Sequence, residues 1–287
     1  MSFNRSYPFT ESKLERWLAE GRGTGDGATY LPWLTEADLP PKFGHKDRIV
    51  CGISGRMGIA FSSVESDTRH YYEAVDGTVD VREQFPLNRD STRAIARSLG
   101  IQHPKDDRSQ TDIVMTTDLV VTRRLSNGLI ETLPRSCKMD SKLHDFNQAE
   151  HAEIERRYWE LQGFAWKFVT NSPHCLPPAP KKNLAILRPW RFAPHTEPFD
   201  GYFDALCSRL VAAVLAYKGS ATVEEFGVDY QTKNGLAVGE AIQTLLHLIF
   251  RHRLRADLFG PSILDQRVEA IAIATSAKAS LPLRNVA

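Results

Sequence analysis

Asp118 stands inside the apolar run MTTDLVV, with Met115, Leu119, Val120 and Val121 around it. A lone carboxylate in such surroundings is costly to bury, so it pairs, takes up a proton or binds a cation. Lys138 lies on the following run, in RSCKM. The runs DIVMTTDLVVTRRL and GLIETLPRSCKM flank Ser126-Asn127-Gly128, which is hairpin turn chemistry. Strands turning there pair positions whose numbers sum to roughly 254, so Asp118 faces about position 136. Lys138 then falls two residues further along, on the same face. Taken alone, the two residues would also fit a plain strand salt bridge.

A third group changes that reading. Glu65, in SSVES, falls in the first turn of a helix that Ser62 or Ser63 can cap. By itself such an acid favours the helix dipole without any further role. Two carboxylates from different elements plus a lysine are what magnesium-assisted hydrolysis of a phosphodiester requires. Hard oxygen ligands hold the ion, which keeps several waters. The ion polarises the phosphate and lowers the pKa of an attacking water, and the lysine neutralises developing charge or orients that water.

The elements that must position these residues follow from the pattern. The Ser62 or Ser63 helix runs to about Ala74, and VDVREQFPL (Val79–Leu87) alternates as a strand that stops at Pro86. Ser91–Gly100 is a capped helix closed by glycine. After the hairpin come an amphipathic helix over Asp145–Gly163 and a strand over Phe164–Thr170. Helix, strand, helix, hairpin, helix, strand gives an α/β (α+β) class: a mixed sheet flanked by helices. Before it, Glu11–Glu20 fits a short helix capped by Thr10 or Ser12. GRGTGDG (Gly21–Gly27) follows no strand, lacks the Lys-Ser/Thr of a phosphate loop, and reads as a flexible linker.

Four prolines in NSPHCLPPAPKK mark an extended connector. Beyond it, helices fit Phe199–Lys218, Thr222–Gly227, Leu236–His252 and Leu264–Ala274, with a β-prone RLRADLFG between the last two. Three helices and then a hairpin is winged-helix order. In a DNA reader Leu236–His252 would enter the groove. It is apolar over most faces and poor in base-reading side chains, so it reads as a core helix. The basic RHRLR at its end would touch phosphate or a partner.

Composition bounds the rest. The 287 residues are 42% hydrophobic and 25% charged, enough for a real core and about two domains. No apolar run approaches the roughly 18 residues of a membrane span, and the first residues read as neither signal nor transit peptide. Cys51, Cys137, Cys175 and Cys207 are dispersed without a CxxC pair, which predicts a reducing, intracellular setting. His103, His144, His151 and His174 lack paired ligand spacing for zinc. Glu150, Glu153 and Glu155 share a helix with Arg156 and Arg157, the usual mark of a solvated, salt-bridged face. Arg56 in SGRMG is a weaker candidate for a DNA phosphate. Lys+Arg (36) nearly balance Asp+Glu (35), leaving a formal charge of +1 and little excess for holding DNA phosphates.

From Glu65 through VDVREQFPL, MTTDLVVT and SCKM to EIERRYWELQGFAWKFVT, the chain resembles the TnsA family over about residues 50–170. TnsA is the endonuclease subunit of the heteromeric transposase of Tn-seven-type transposons. The resemblance implies a type II restriction-endonuclease-like catalytic domain over 61–171, after an N-terminal extension over 1–60. A Pro-rich linker over 172–198 and a winged-helix-like domain over 199–287 complete the expected layout. Carried over by residue, Glu65 and Asp118 would bind metal and Lys138 would be the catalytic lysine. The main-chain carbonyl of Cys137 would be a further metal ligand. Ser136 stands where relatives place an acid or glutamine, a weaker ligand that leaves the number of metals open. Glu83, Gln84, Glu150 and Glu153 are neighbours, any of which would support the site; for Glu83 and Gln84 a packing role is the simpler reading.

The implied activity is magnesium-dependent nicking of the 5′ ends of a transposon in cut-and-paste movement, with manganese substituting. Implied partners are transposon-end DNA, a TnsB-type transposase and a TnsC-type ATPase regulator, with no membrane, in a bacterial cytoplasm. The alternatives are an independent restriction-type or repair nuclease with the same site, and a catalytically silent scaffold bridging DNA and transposition proteins.

Overall fold

The computed structural model describes residues 8–39, 46–142, 146–175, 178–194 and 196–276. Asp145, the expected start of a helix, and the candidate histidine His144 lie outside them. The chain divides into two compact units, Met1–Cys175 and Leu176–Ala287.

The first unit begins with α1 (Glu11–Ala19), capped by the Thr10 side chain. A two-stranded antiparallel ribbon follows, β1 (Asp47–Val50) and β2 (Met57–Ala60). Next come α2 (Ser63–Glu73), β3 (Thr78–Pro86), α3 (Arg89–Leu99), β4 (Thr116–Arg124), β5 (Ile130–Lys138), α4 (Phe146–Leu161) and β6 (Lys167–Thr170). The sheet order is β3-β4-β5-β6, antiparallel until β6 joins β5 in parallel. This is the mixed sheet with flanking helices expected from the pattern. The hairpin pairs Leu119 with Arg135 and Val120 with Pro134, the register the turn chemistry predicts. One side of the core joins Ile95 of α3, Ile154 and Trp159 of α4, Val120 of β4, and Leu87 and Met115 just outside β3 and β4.

The described N-terminal residues pack into the first unit. Phe9, Trp17 and Trp33 pack with Ile59, Phe61 and Val114 in one buried cluster. GRGTGDG is correspondingly an ordered turn, not a flexible linker. Gly23 N–H donates to Leu31 O at 2.6 Å, and Leu31 N–H to Thr24 O at 3.1 Å. Gly23 takes φ +80°, and a side chain there would collide with the Pro86 ring. Its glycines serve backbone angles and a close approach, which composition alone reads as freedom.

The second unit is helical among its described residues. The Pro-rich stretch becomes α5 (Pro178–Leu187), where an extended connector was expected. Prolines in a helix's first turn lose only N–H groups that have no partner there in any case. Asn183 fixes this helix by bonding Leu258 O, Pro261 O and Ile263 N–H. Helices α6 (Tyr202–Ala216), α7 (Val223–Asn234), α8 (Glu240–Phe250) and α9 (Val268–Ser276) follow. Thr222 caps α7, as expected, with a reciprocal bond from Glu225. The strand expected at RLRADLFG does not form; the described β contact in this unit is a single bridge, Thr222 to Arg267. It ties the start of the second helix of the α6–α8 set to the chain after the third. Leu245, Leu246, Leu248, Ile249 and Phe250 bury α8, so it is a core helix.

Candidate active site

Asp118 lies on β4, one residue before the paired Leu119, and Lys138 ends β5. Lysine Nζ sits 2.9 Å from Asp118 Oδ2. The same oxygen accepts the Cys137 main-chain N–H at 2.7 Å and has Ser136 Oγ at 3.5 Å. Among the described residues, Asp118 Oδ1 has only the Gln84 amide, at 3.5 Å. The side chains are 13% and 27% exposed, so the pair is anchored yet open to solvent. A cleft of about 160 Å³, lined by Lys138, Ala152, Glu153, Trp166 and Phe168, opens beside the lysine. Burial alone would lower the Lys138 pKa. Asp118, Glu155 and Glu65 outweigh it and hold the ammonium above its ordinary value.

Glu65 is the third residue of α2, and its carboxylate is gathered back onto the helix start. Ser62 Oγ accepts Glu65 N–H at 3.1 Å and donates to Oε1 at 2.9 Å, while Phe61 N–H donates to Oε2 at 3.0 Å. The residue is 6% exposed, unlike an acid placed only for the helix dipole. Burial pushes its pKa up to about 8, and the charge of Asp118 acts in the same direction. The bond from Phe61, the charge of Lys138 and the bond from Ser62 oppose this.

Sequence patterning missed a fourth member. Glu155, in the middle of α4 among acids whose pattern predicts a solvated face, is buried. Its Oε1 accepts the Thr117 hydroxyl at 2.7 Å, and Thr117 Oγ1 accepts the Trp159 indole N–H at 2.7 Å. Burial, then Asp118, pushes its pKa up to about 7 against the pull of Lys138, Trp166 and Thr117. Its neighbour Glu153 does what the pattern predicts, pairing with Arg156 at 2.7 Å on the surface. The sequence signal that distinguishes the two is helical spacing: Glu155 stands three residues after Ala152 and four before Trp159, whereas Glu153 shares its face with Arg156 and Arg157.

Four other candidates separate. Glu83 is fully buried and serves the scaffold. Arg56 reaches it at 2.6 Å and Arg69 at 3.0 Å, and Arg69 also holds Glu73 at 2.9 Å. Burial would raise the Glu83 pKa, but the two guanidiniums hold it below its ordinary value. Arg56 is thereby spent on Glu83 and Gly27 O, and its side chain is 8% exposed, which removes it as a phosphate contact in this conformation. Gln84 does face Asp118. His103 is a core histidine bonded to Thr92 and Pro104.

Among the described residues no group of three or more His, Cys, Asp or Glu forms a ready metal cage. The donors that do converge suit a hard cation all the same. Three acids share one lysine, leaving two negative charges when all are ionised, and such an ion brings its own waters. The Cys137 N–H points at Asp118, and the carbonyl of a strand residue lies on the same side as its N–H. Burial, then Asp118 and Glu65, pushes the Cys137 thiol well up, so it stays a neutral packing group.

A four-stranded mixed sheet flanked by helices, with this acid–lysine pair on neighbouring strands, is consistent with the restriction-endonuclease-like class. Comparison with known proteins agrees. The family model described as TnsA-like endonuclease N terminal matches residues 76–171. The chain is 31% identical over 236 residues to transposon Tn7 transposition protein TnsA of Escherichia coli, covering 81% of this chain and 82% of that protein. The chain belongs to the TnsA family.

Proposed function

We propose that this chain is the metal-dependent DNA endonuclease of a Tn7-type transposition system. It cuts the 5′ ends of the transposon, while a TnsB-type transposase cuts the 3′ ends and a TnsC-type ATPase regulates both. The observation that carries the reading is the Lys138–Asp118 contact at 2.9 Å, with Glu65 buried at the start of α2. Glu65, Asp118 and the Cys137 carbonyl would hold magnesium, or manganese in its place. When bound, the ion polarises the scissile phosphate and acidifies a water.

The chain's own groups do the rest. Cys137 N–H and Lys138 fix Asp118 Oδ2, so Oδ1 is the oxygen left for the substrate side. Lys138, kept protonated by three acids, places positive charge where the phosphoryl oxygens gain negative charge. Thr117 holds Glu155 where it keeps that ammonium charged. Among the described residues no helix is long and apolar enough to cross a membrane, and the reading places the enzyme in the bacterial cytoplasm with its DNA.

The test is strand-resolved cleavage of a transposon-end DNA with the partner proteins and magnesium or manganese. Wild type releases the 5′ strand, whereas Asp118→Ala and Lys138→Ala leave 3′ cuts only. Retained 5′ cleavage by both variants would overturn the assignment.

A further inference from the structure

We propose that Gln84 is a positioning residue for Asp118, held in a strained backbone conformation that the N-terminal segment enforces. The inference rests on the nuclease reading above and deepens it. In the β3–β4 register Glu83 faces Leu119 and Phe85 faces Thr117, so Gln84 stands opposite Asp118. Its φ is +46°, left-handed backbone inside a strand, a region residues other than glycine seldom enter. Such strain persists only where the surroundings over-determine it, and it gathers at functional sites.

The enforcing contacts come from the N-terminal segment and from the buried ion pairs. Trp33 N–H donates to Gln84 O at 3.1 Å, drawing that carbonyl toward the N-terminal residues. Tyr30 Oη donates to Glu83 O at 3.0 Å, and the Glu83 carboxylate is gripped by Arg56 and Arg69. Backbone is thereby pinned at two successive residues.

The result is a buried amide of fixed orientation. Gln84 is 2% exposed. The carboxylate of Asp118 only accepts, which puts the amide NH₂ on its side, and the Thr116 hydroxyl donates to the Oε1 at 3.1 Å. The NH₂ then faces Asp118 Oδ1 at 3.5 Å, the oxygen that Lys138 and Cys137 leave alone. A residue wanted only for packing at this spot would be apolar, without a donor to satisfy. A neutral donor holds the carboxylate plane while leaving its charge intact, the role outer partners play around ligating carboxylates.

The test uses the full chain and Gln84→Gly, which deletes the amide and takes φ +46° without strain. Three quantities are read: melting temperature without metal, Mn²⁺ affinity by calorimetry, and 5′-strand cleavage with the partner proteins. The variant is expected to melt at or above the wild-type temperature. Its Mn²⁺ affinity and its cleavage rate should each fall about tenfold or more. A merely structural glutamine would behave differently, losing stability while the folded fraction bound Mn²⁺ as wild type does. That outcome, or unchanged affinity and cleavage, overturns the inference. Asp118→Asn separates the two levels: if it still cuts the 5′ strand, the nuclease site itself is misassigned. If it is dead while Gln84→Gly cuts normally, only the role of Gln84 falls.

Discussion

Two clusters of charge lie a few residues apart on the same sheet, and they are built on opposite principles. Around Glu83, two carboxylates meet two guanidiniums: Glu83 takes Arg56 and Arg69, and Glu73 takes Arg69. Charge is matched, and Glu83 is held below its ordinary pKa. Around Asp118, three carboxylates share Lys138, and Glu65 and Glu155 are both pushed up. The matched cluster is scaffold, since every ion has its counter-ion and nothing further is called for. The unmatched cluster is costly unless something positive arrives, which marks it as functional. Both lie in acid-bearing, mostly apolar sequence; compensation separates them.

The largest expected effect comes from spoiling the match. Arg69→Met leaves Glu83 and Glu73 short of a buried partner and should cost about 3–5 kcal/mol by chemical denaturation. A cost under about 1 kcal/mol would mean the cluster is not the scaffold described. Gly58→Ala should point the same way, because a side chain there would collide with the Arg69 guanidinium.

Neutralising the unmatched cluster should do the reverse. A carboxyl with a pKa of about 8 when folded, against an ordinary 4.5, binds its proton more tightly folded than unfolded. Its contribution to stability is therefore complete below pH 4.5 and is lost as the pH rises to about 8. Glu155 acts in the same sense up to about pH 7. In metal-free buffer Glu65→Gln should flatten the fall in stability across this window and exceed wild type at pH 8. A curve parallel to wild type would break the contrast between the clusters.

A smaller effect is expected at Glu155, which reaches the reaction through Thr117 and Lys138. Glu155→Gln keeps the shape and should lower 5′ cleavage about tenfold, while flattening the fall in stability up to about pH 7 as Glu65→Gln does over its wider window. Smallest is the DNA affinity of the isolated chain. With a net charge of +1 there is little excess for phosphate neutralisation, so a gel shift on transposon-end DNA should show weak, salt-sensitive binding. Tight, sequence-specific binding would contradict delivery by partners.

The sequence reading reached furthest where local rules decide geometry. The Ser-Asn-Gly turn set the hairpin register, and register placed Lys138 beside Asp118. Serine capping located Glu65 at the helix start. Long-range packing stayed hidden. The Trp17–Trp33 contact joins a helix to a loop, with no periodicity to announce it. Prolines that read as a connector begin α5, because a helix's first turn tolerates them. Glu155 and Glu153 are both acids of one helix, and only the tertiary fold decides that one faces Thr117 and the other Arg156. Arg56 shows the same limit: a lone basic residue in a glycine-rich turn found a buried carboxylate instead of solvent.

The central claim is that the unmatched cluster is built to receive a divalent cation. Calorimetric titration of the full chain with Mn²⁺ tests it most directly, with Asp118→Asn in one cluster set against Glu83→Gln in the other. Wild type and the folded fraction of Glu83→Gln are expected to bind alike, and Asp118→Asn to lose most of the binding. If Asp118→Asn titrates as wild type does, the cation site lies elsewhere and the cluster around Lys138 is not the nuclease centre.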